Sequence, residues 1–407
     1  MNNFKNKNVF VASYTFFKNE IRTNTSGPIV PLIEYCKKNF NFFVLLEQPL
    51  PGSQFDYGLL SVWHKNNKKE FKIDAPFFAK NIYKLNSNKT FISLKIRDIY
   101  FLLYSYFILK KNFKLNKINF CISLECLNTS FLILFKKIFK IEKIIYYIFD
   151  WSPKRYSYLL NKIYLLLDKF STYNSDFTWN ITYTIAEYKI AHFNFKKNLI
   201  SKQLYVPYSP YPIKKFKNPS QNKIVYSGGL IEENGAHLLV PILKRLKKLN
   251  KDIKLLVIGD GELKDKILND IKMSKLSNNI IFYGYISDQK KIMNIQSECA
   301  LGLAPYPKNN RTRKKFGDVI KIRMYFASGI PTISSDVPPV FKEIIREKLG
   351  IVIKKNLIEE FALNIHKLLK NKKKLNDLKN NVIKKSINSS WSQTFTKALN
   401  NEKSIRI

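Results

Sequence analysis

Phe316-Gly-Asp-Val-Ile-Lys-Ile-Arg-Met-Tyr-Phe-Ala-Ser-Gly-Ile-Pro-Thr-Ile-Ser-Ser335 decides the reading of this chain. A glycine turn at Gly317 precedes Asp318, a residue able to cap a helix. The helix carries Lys321 and stops at Gly329, and an apolar strand starts at Pro331. The first amides of such a helix are unpaired and its dipole favours negative charge, so a helix opening on a pocket is a ready anion site. A lysine about one turn in adds a point charge to the same anion.

Upstream of this block the chain alternates strand, glycine turn and helix. Ile224–Tyr226 leads to Gly228-Gly229 and a helix over 236–249. Leu255–Ile258 leads to Gly259-Asp-Gly261 and a helix over 262–273. Ile280–Tyr283 leads to Gly284 and a helix over 288–297. Strands at 301–304, 331–334 and 351–353 complete a doubly wound parallel sheet. The lysine-rich stretch 366–388 predicts a solvated helix, and Trp391 opens the last one.

The N-terminal half repeats the alternation. Strands are predicted at 9–13, 42–46, 118–123, 143–149 and 177–181, with helices near 28–38, 94–111, 129–140, 157–172 and 184–193. Wholly apolar strands between helices imply a parallel sheet covered on both faces. Prolines 207, 210, 212 and 219 mark a semi-rigid linker. The resulting division is 1–204, a linker over 205–220, 221–385, and a C-terminal helix over 386–407. Two doubly wound domains with a hinge imply a cleft. Ligands in such sheets bind beyond the carboxyl ends of the strands, where the turns at Gly228, Gly259 and Gly284 and the segment 305–318 all fall.

The 407 residues are enough for two domains, and 45% apolar content supports packed cores. The four cysteines, at 36, 121, 126 and 299, have neither metal-ligand nor disulfide spacing and read as reduced buried thiols. Met1–Asn8 is polar and is not expected to be a signal peptide. The net charge of +40 has two sources: the AT-rich codons behind Lys, Asn, Ile, Phe and Tyr, and attraction to an anionic partner. The apolar run Ile99–Leu109 spans 11 residues, about half a membrane crossing. It reads as a core helix or one lying on a membrane interface.

The 316–335 block resembles the donor-site signature of family 4 glycosyltransferases with the GT-B fold, matching it at Asp318, Lys321, Tyr325, Ala327, Gly329 and Pro331. Further segments resemble the family in order: Val225–Leu230, the loop that cradles donor phosphates; Val257–Glu262; Phe282–Ile286, which meets the base; and Ala300–Tyr306, which opens the sugar pocket. In the first domain, Tyr146–Arg155 resembles a bacterial and archaeal subgroup, and Thr25-Ser26-Gly27 resembles the acceptor-side loop. The chain departs from the pattern at Gly229 and Asn234, where relatives carry arginine and lysine. It departs again at Phe316 and Met324, where they carry glutamates, the second of which usually bonds the ribose hydroxyls.

The resemblance implies an α/β protein of GT-B fold, two doubly wound Rossmann-like domains facing across a cleft. It implies transfer of a sugar from a nucleotide-sugar donor to a glycan or lipid-linked acceptor, retaining, without bound metal or other cofactor, in surface polysaccharide or glycolipid synthesis. Lys321, Asp318 and Asp150 are the expected catalytic residues, although Asp150 is equally suited to cap the next helix or pair with Arg155. The donor is expected at Gly228, Gly229, Gly259, Gly284, Tyr285, Pro305, Tyr306 and Tyr325, and the acceptor at Thr25, Ser26, Gly27 and Arg155. A cytoplasmic protein peripheral to an anionic membrane, and not bound to nucleic acid, is the expectation. The alternatives are a nucleotide-sugar epimerase, which needs acidic residues and histidines in the cleft, and a basic nucleic-acid-binding protein, which needs a recognisable module.

Overall fold

The computed structural model describes residues 4–18, 21–23, 27–50, 53, 57–65, 67–80, 88–217, 220–308, 315–355 and 357–407. The chain forms two compact units: Met1–Pro207 with Phe395–Ile407, and Tyr208–Thr394.

The first unit contains strands β1 (Asn8–Lys18), β2 (Ile21–Thr23), β3 (Phe42–Pro49), β4 (Gly58–His64), β5 (Asn67–Ile73), β6 (Ile118–Ser123), β7 (Ile141–Ile148), β8 (Phe177–Asn180) and β9 (Gln203–Tyr205). Helices α1 (Ile29–Asn39), α2 (Asn88–Phe113), α3 (Cys126–Leu134), α4 (Tyr158–Asn174), α5 (Tyr183–Phe193) and α6 (Lys197–Ile200) connect them. The sheet runs β5-β4-β3-β1-β6-β7-β8-β9, with β2 paired on β1. The six strands from β3 to β9 are parallel, as their apolar runs predict. β4 and β5 add an antiparallel hairpin and β2 a further antiparallel strand, so the sheet is mixed rather than wholly parallel. β5 (Asn-Lys-Lys-Glu-Phe-Lys-Ile) is an edge strand blunted by charge.

The run 99–109 lies in α2, and its inner face belongs to the core. Phe101, Leu102 and Leu109 are buried against β3, β6 and β7 residues. The segment 395–407 also belongs to this core. Phe395 stacks on Trp179, the Tyr35 hydroxyl bonds that of Thr396 at 2.8 Å, and the Ile407 amide donates to the Gln203 carbonyl.

The second unit contains β10 (Ser220–Ser227), β11 (Lys254–Ile258), β12 (Ile280–Gly284), β13 (Cys299–Ala304), β14 (Thr332–Ser335) and β15 (Gly350–Ile353). Its helices are α7 (Leu239–Leu249), α8 (Lys264–Met273), α9 (Gln289–Gln296), α10 (Ile320–Ala327), α11 (Phe341–Arg346), α12 (Leu357–Lys370), α13 (Lys372–Asn388) and α14 (Trp391–Leu399), which passes into the first unit at Phe395. The order β12-β11-β10-β13-β14-β15 is parallel throughout, the doubly wound dinucleotide-fold order with its switch point between β10 and β13. Leucine, isoleucine and valine from β10, β11 and β13 pack on α7 and α12.

Two expectations change. The lysine-rich stretch is two helices, α12 and α13, divided at Asn371, whose side chain caps the second; Leu375, Leu378 and Val382 are buried. The segment 205–209 is not a solvent-borne spacer, since Tyr205, Val206, Tyr208 and Ser209 are buried.

Candidate functional site

The second unit has a cavity of about 440 Å³ at its switch point. Two turns after parallel strands, at Gly228-Gly229 and Gly259-Asp260, form its floor. Gly228 donates to the Ile258 carbonyl at 2.9 Å, and Gly259 donates to the Gly284 carbonyl at 2.8 Å, so each turn is stitched to the next. A Cβ at Gly259 would lie 2.0 Å from the Gly228 oxygen, and both residues have positive φ, +143° and +137°. Only glycine allows this close approach.

The Gly229 carbonyl is held from two sides, by the Tyr226 hydroxyl and by Asn234 Nδ2, each at 3.0 Å. Asn234 therefore braces the loop. Nothing in the sequence marks this role except its five-residue spacing from Gly229.

Helix α10 supplies the wall. Val319 is its N-cap residue, so Lys321 is its second residue, less than a full turn in. Lys321 lines the cavity, is 8% exposed, and its Nζ lies 3.9 Å from the Tyr226 ring centroid and 4.9 Å from that of Tyr306. Ring faces carry negative potential, so the ammonium is held by them beside the turn. A Cβ at Gly228 would be 3.4 Å from the same nitrogen. Ammonium, glycine turn and helix terminus thus converge on one small volume suited to an anion.

Met324 is one turn on from Lys321 and also lines the cavity, with Ile286 and Ile292. Tyr285 stands at the mouth, largely exposed. The cavity therefore has a cationic, amide-rich end and an apolar end.

Asp318 does not cap α10. Its carboxylate accepts both Arg323 Nε contacts, at 3.0 and 3.1 Å, and the Tyr208 amide at 2.8 Å. Burial pushes its pKa up, only partly offset by Arg323. Glu343 lies on the same guanidinium at 2.7 Å and also pairs with Lys385 at 2.6 Å. Burial pushes this carboxyl up too, but its two cations win and bring it down to about 2. Asp318 borders the cavity as an anchored group, and Arg323 is the partner that sequence inspection passed over.

Tyr325 does not line this cavity. It is fully buried, accepts from the Ser227 amide and donates to the Leu303 carbonyl, both at 3.0 Å, and its ring fills the space left by Gly302. Gly284 and Pro305 do not line the cavity either. The first turns its carbonyl to Gly259, and the carbonyl of the second lies against Gly235, where a Cβ would approach to 1.8 Å. Gly228, Gly229, Gly259, Tyr285, Tyr306, Asp318 and Lys321 do line it.

In the first unit, Asp150 follows β7 with its side chain 76% exposed and pairs with Arg155 at 3.0 Å. Asn161 accepts from the Arg155 amide and donates to the Pro153 carbonyl, tying this loop to α4. Trp151 Nε1 donates to Asp168, which is wholly buried with Lys189 and the Tyr146 hydroxyl. Gly27 precedes α1; Thr25 and Ser26 lie outside the described residues. Among the described residues no three His, Cys, Asp or Glu side chains are grouped to hold a metal, and no helix is long and apolar enough to cross a membrane.

Residues 210–385 match the family described as glycosyl transferases group 1. An uncharacterized glycosyltransferase of Methanocaldococcus jannaschii is 30% identical over 184 residues, covering 41% of this chain and 44% of that protein. The chain thus spans less than half the length of this curated relative. Over nearly its whole length the chain is similar in structure to Anabaena HepE in complex with UDP. The TM-score is 0.61 at 11% identity, over 98% of this chain and 100% of that one. It is likewise similar to the apo lipopolysaccharide outer core galactosyltransferase WaaB, with TM-score 0.60 at 14% identity over 97% and 99%. At these identities the likeness is one of fold, and the fold is GT-B: two Rossmann-like units in one chain.

Proposed function

We propose that the protein is a glycosyltransferase of the family 4 type that takes a nucleotide-sugar donor in the second unit. The observation that carries this is the meeting of Lys321, the Gly228-Gly229 turn and the α10 terminus in one cavity, inside the segment that matches group 1 glycosyl transferases. The diphosphate would lie at the cationic end and the nucleoside against Ile286, Ile292 and Met324. The leaving diphosphate gains charge as the glycosidic bond breaks, so amides and an ammonium already in place favour the transition state. Two relatives' cations are absent at Gly229 and Asn234, which leaves Lys321 the one cation, beside the carboxylates of Asp260 and Asp318, among the described residues lining the cavity.

The rest of the proposal follows the family: transfer with retention, no required metal, and a glycan or lipid-linked acceptor met by the first unit near Asp150, Arg155 and Gly27. A place in surface polysaccharide or glycolipid synthesis suits such an acceptor. HepE binding UDP supports a nucleoside diphosphate as the first ligand to try. The test is a thermal-shift screen of nucleoside diphosphates and their sugars, with and without EDTA. At least one should raise the melting temperature in the presence of EDTA. No stabilisation by any of them would overturn the reading, and stabilisation lost to EDTA would overturn metal independence.

A further inference from the structure

An aspartate just ahead of a helix is drawn to the first amides of that helix. From position 318 a carboxylate reaches, by ordinary Asx geometry, the amides two and three positions on, those of Ile320 and Lys321, and the Lys321 ammonium beside them. In this chain it is turned elsewhere. No side chain caps α10 at its N-cap residue, Val319. The two Asp318 oxygens lie 3.0 and 3.1 Å from Arg323 Nε, and one of them also accepts the Tyr208 amide at 2.8 Å.

Arg323 is fixed at its other end. Its Nη1 donates to Glu343 on α11 at 2.7 Å, and Glu343 is held in turn by Lys385 on α13 at 2.6 Å. The side chains of Asp318, Arg323 and Glu343 are all 5% exposed or less. Stability alone does not call for such a cluster, since well-packed apolar side chains of similar volume commonly do as well as buried ion pairs. Its effect lies at the cavity that Asp318 borders. The guanidinium takes a fixed anion away from the place where the glycine turn, the α10 amides and Lys321 converge. Released, Asp318 would settle on the groups that the diphosphate needs.

We propose that Arg323 keeps the anion-binding end of the cavity open: by holding Asp318 on its guanidinium it denies that carboxylate to the α10 amides and to Lys321. Arg323 is a positioning residue, and Asp318 is an internal competitor held aside. The inference rests on the donor reading for the diphosphate as ligand, and adds which residue makes the site available. When the clamp is broken, an external anion binds only the fraction of molecules in which Asp318 has left the amides, and its apparent affinity falls by that fraction.

The test is calorimetric titration with inorganic pyrophosphate and with UDP, GDP and ADP. Arg323→Met should weaken pyrophosphate, and each nucleoside diphosphate that the wild type binds, by about thirtyfold, which corresponds to an open site in about one molecule in thirty. Arg323→Met/Asp318→Ala should recover to within about threefold of wild type, although it has lost a second native side chain. A merely structural Arg323 gives no such rescue. Where Arg323→Met melts early, Glu343→Gln is added to both variants; it removes the second buried carboxylate and leaves the comparison at Asp318 intact. Pyrophosphate bound equally by wild type and Arg323→Met overturns the inference, and so does a loss that Asp318→Ala fails to repair. Wild type that binds pyrophosphate but none of the nucleoside diphosphates overturns the donor reading alone, and wild type that binds none of the four overturns both.

Discussion

Lys321→Ala is the change that most directly probes the donor cavity. The ammonium lies within 3.4 Å of the position a Cβ at Gly228 would take, so an anion on that turn sits about 4 Å from the charge. At the effective dielectric of a partly buried site, two unit charges about 4 Å apart interact by roughly 4 kcal/mol. Part of this is offset by desolvation, leaving about 3 kcal/mol, or about a hundredfold in turnover. Stability should change by less than about 1 kcal/mol, since the lost contact with the Tyr226 and Tyr306 rings is balanced by no longer burying an ammonium. Steady-state kinetics with the donor found in the thermal-shift screen, alongside calorimetric binding of the nucleoside diphosphate, separates turnover from affinity. Lys321→Arg should recover part of the loss. A turnover within about threefold of wild type, in a variant that melts normally, would refute the reasoning and leave the glycine turn as the only phosphate contact.

Three further outcomes follow from the packing. Gly259→Ala forces its Cβ to 2.0 Å from the Gly228 oxygen and should cost about 2–3 kcal/mol while abolishing nucleotide stabilisation; a normal melt would show that the turns are not stitched as described. Lys189→Met leaves Asp168 buried without its cation and should destabilise the first unit by about 3–5 kcal/mol in urea titration; a change under about 1 kcal/mol would disprove the pairing. Glu343 is brought from an ordinary 4.5 to about 2 by Arg323 and Lys385, so its contribution is fully present above about pH 4.5 and is lost as pH falls towards 2. Asp318, raised by burial, works in the opposite sense. Acid denaturation should therefore be shallower between those values in Glu343→Gln, and an unchanged slope would show that Glu343 does not control it.

The second unit was legible because each strand is a short apolar run ended by glycine, and that punctuation also located the cavity floor. The β4–β5 hairpin escaped notice because Asn67–Ile73 is an edge strand of lysine and glutamate with no apolar alternation to mark it. Tyr325 misled because spacing on a helix does not say which face is inward; Gly302 decides it, by leaving room for the ring on the sheet side. Asp318 misled for a related reason, since an aspartate at a helix start usually caps it, and Arg323 captured the carboxylate instead. Helix α4 is the extreme case. Tyr-Leu-Leu-Asn-Lys-Ile-Tyr-Leu-Leu-Leu is apolar on both sides, and only the burial of Asp168 with Lys189 fixes which side faces out.

The return of residues 395–407 to the first unit sets an order of assembly during synthesis. Tyr35 and Thr396 are 361 positions apart, so a contact of the first core waits until the whole second unit has been made. The second unit is a continuous stretch, 208–394, and can close beforehand. Meanwhile the surface of Trp179 and Tyr35 that Phe395 will cover stays open to solvent or to chaperones. Ribosome stalling or proteolytic clipping just before Phe395 would thus yield a chain whose N-terminal core is unfinished although its nucleotide-sized cavity is already formed.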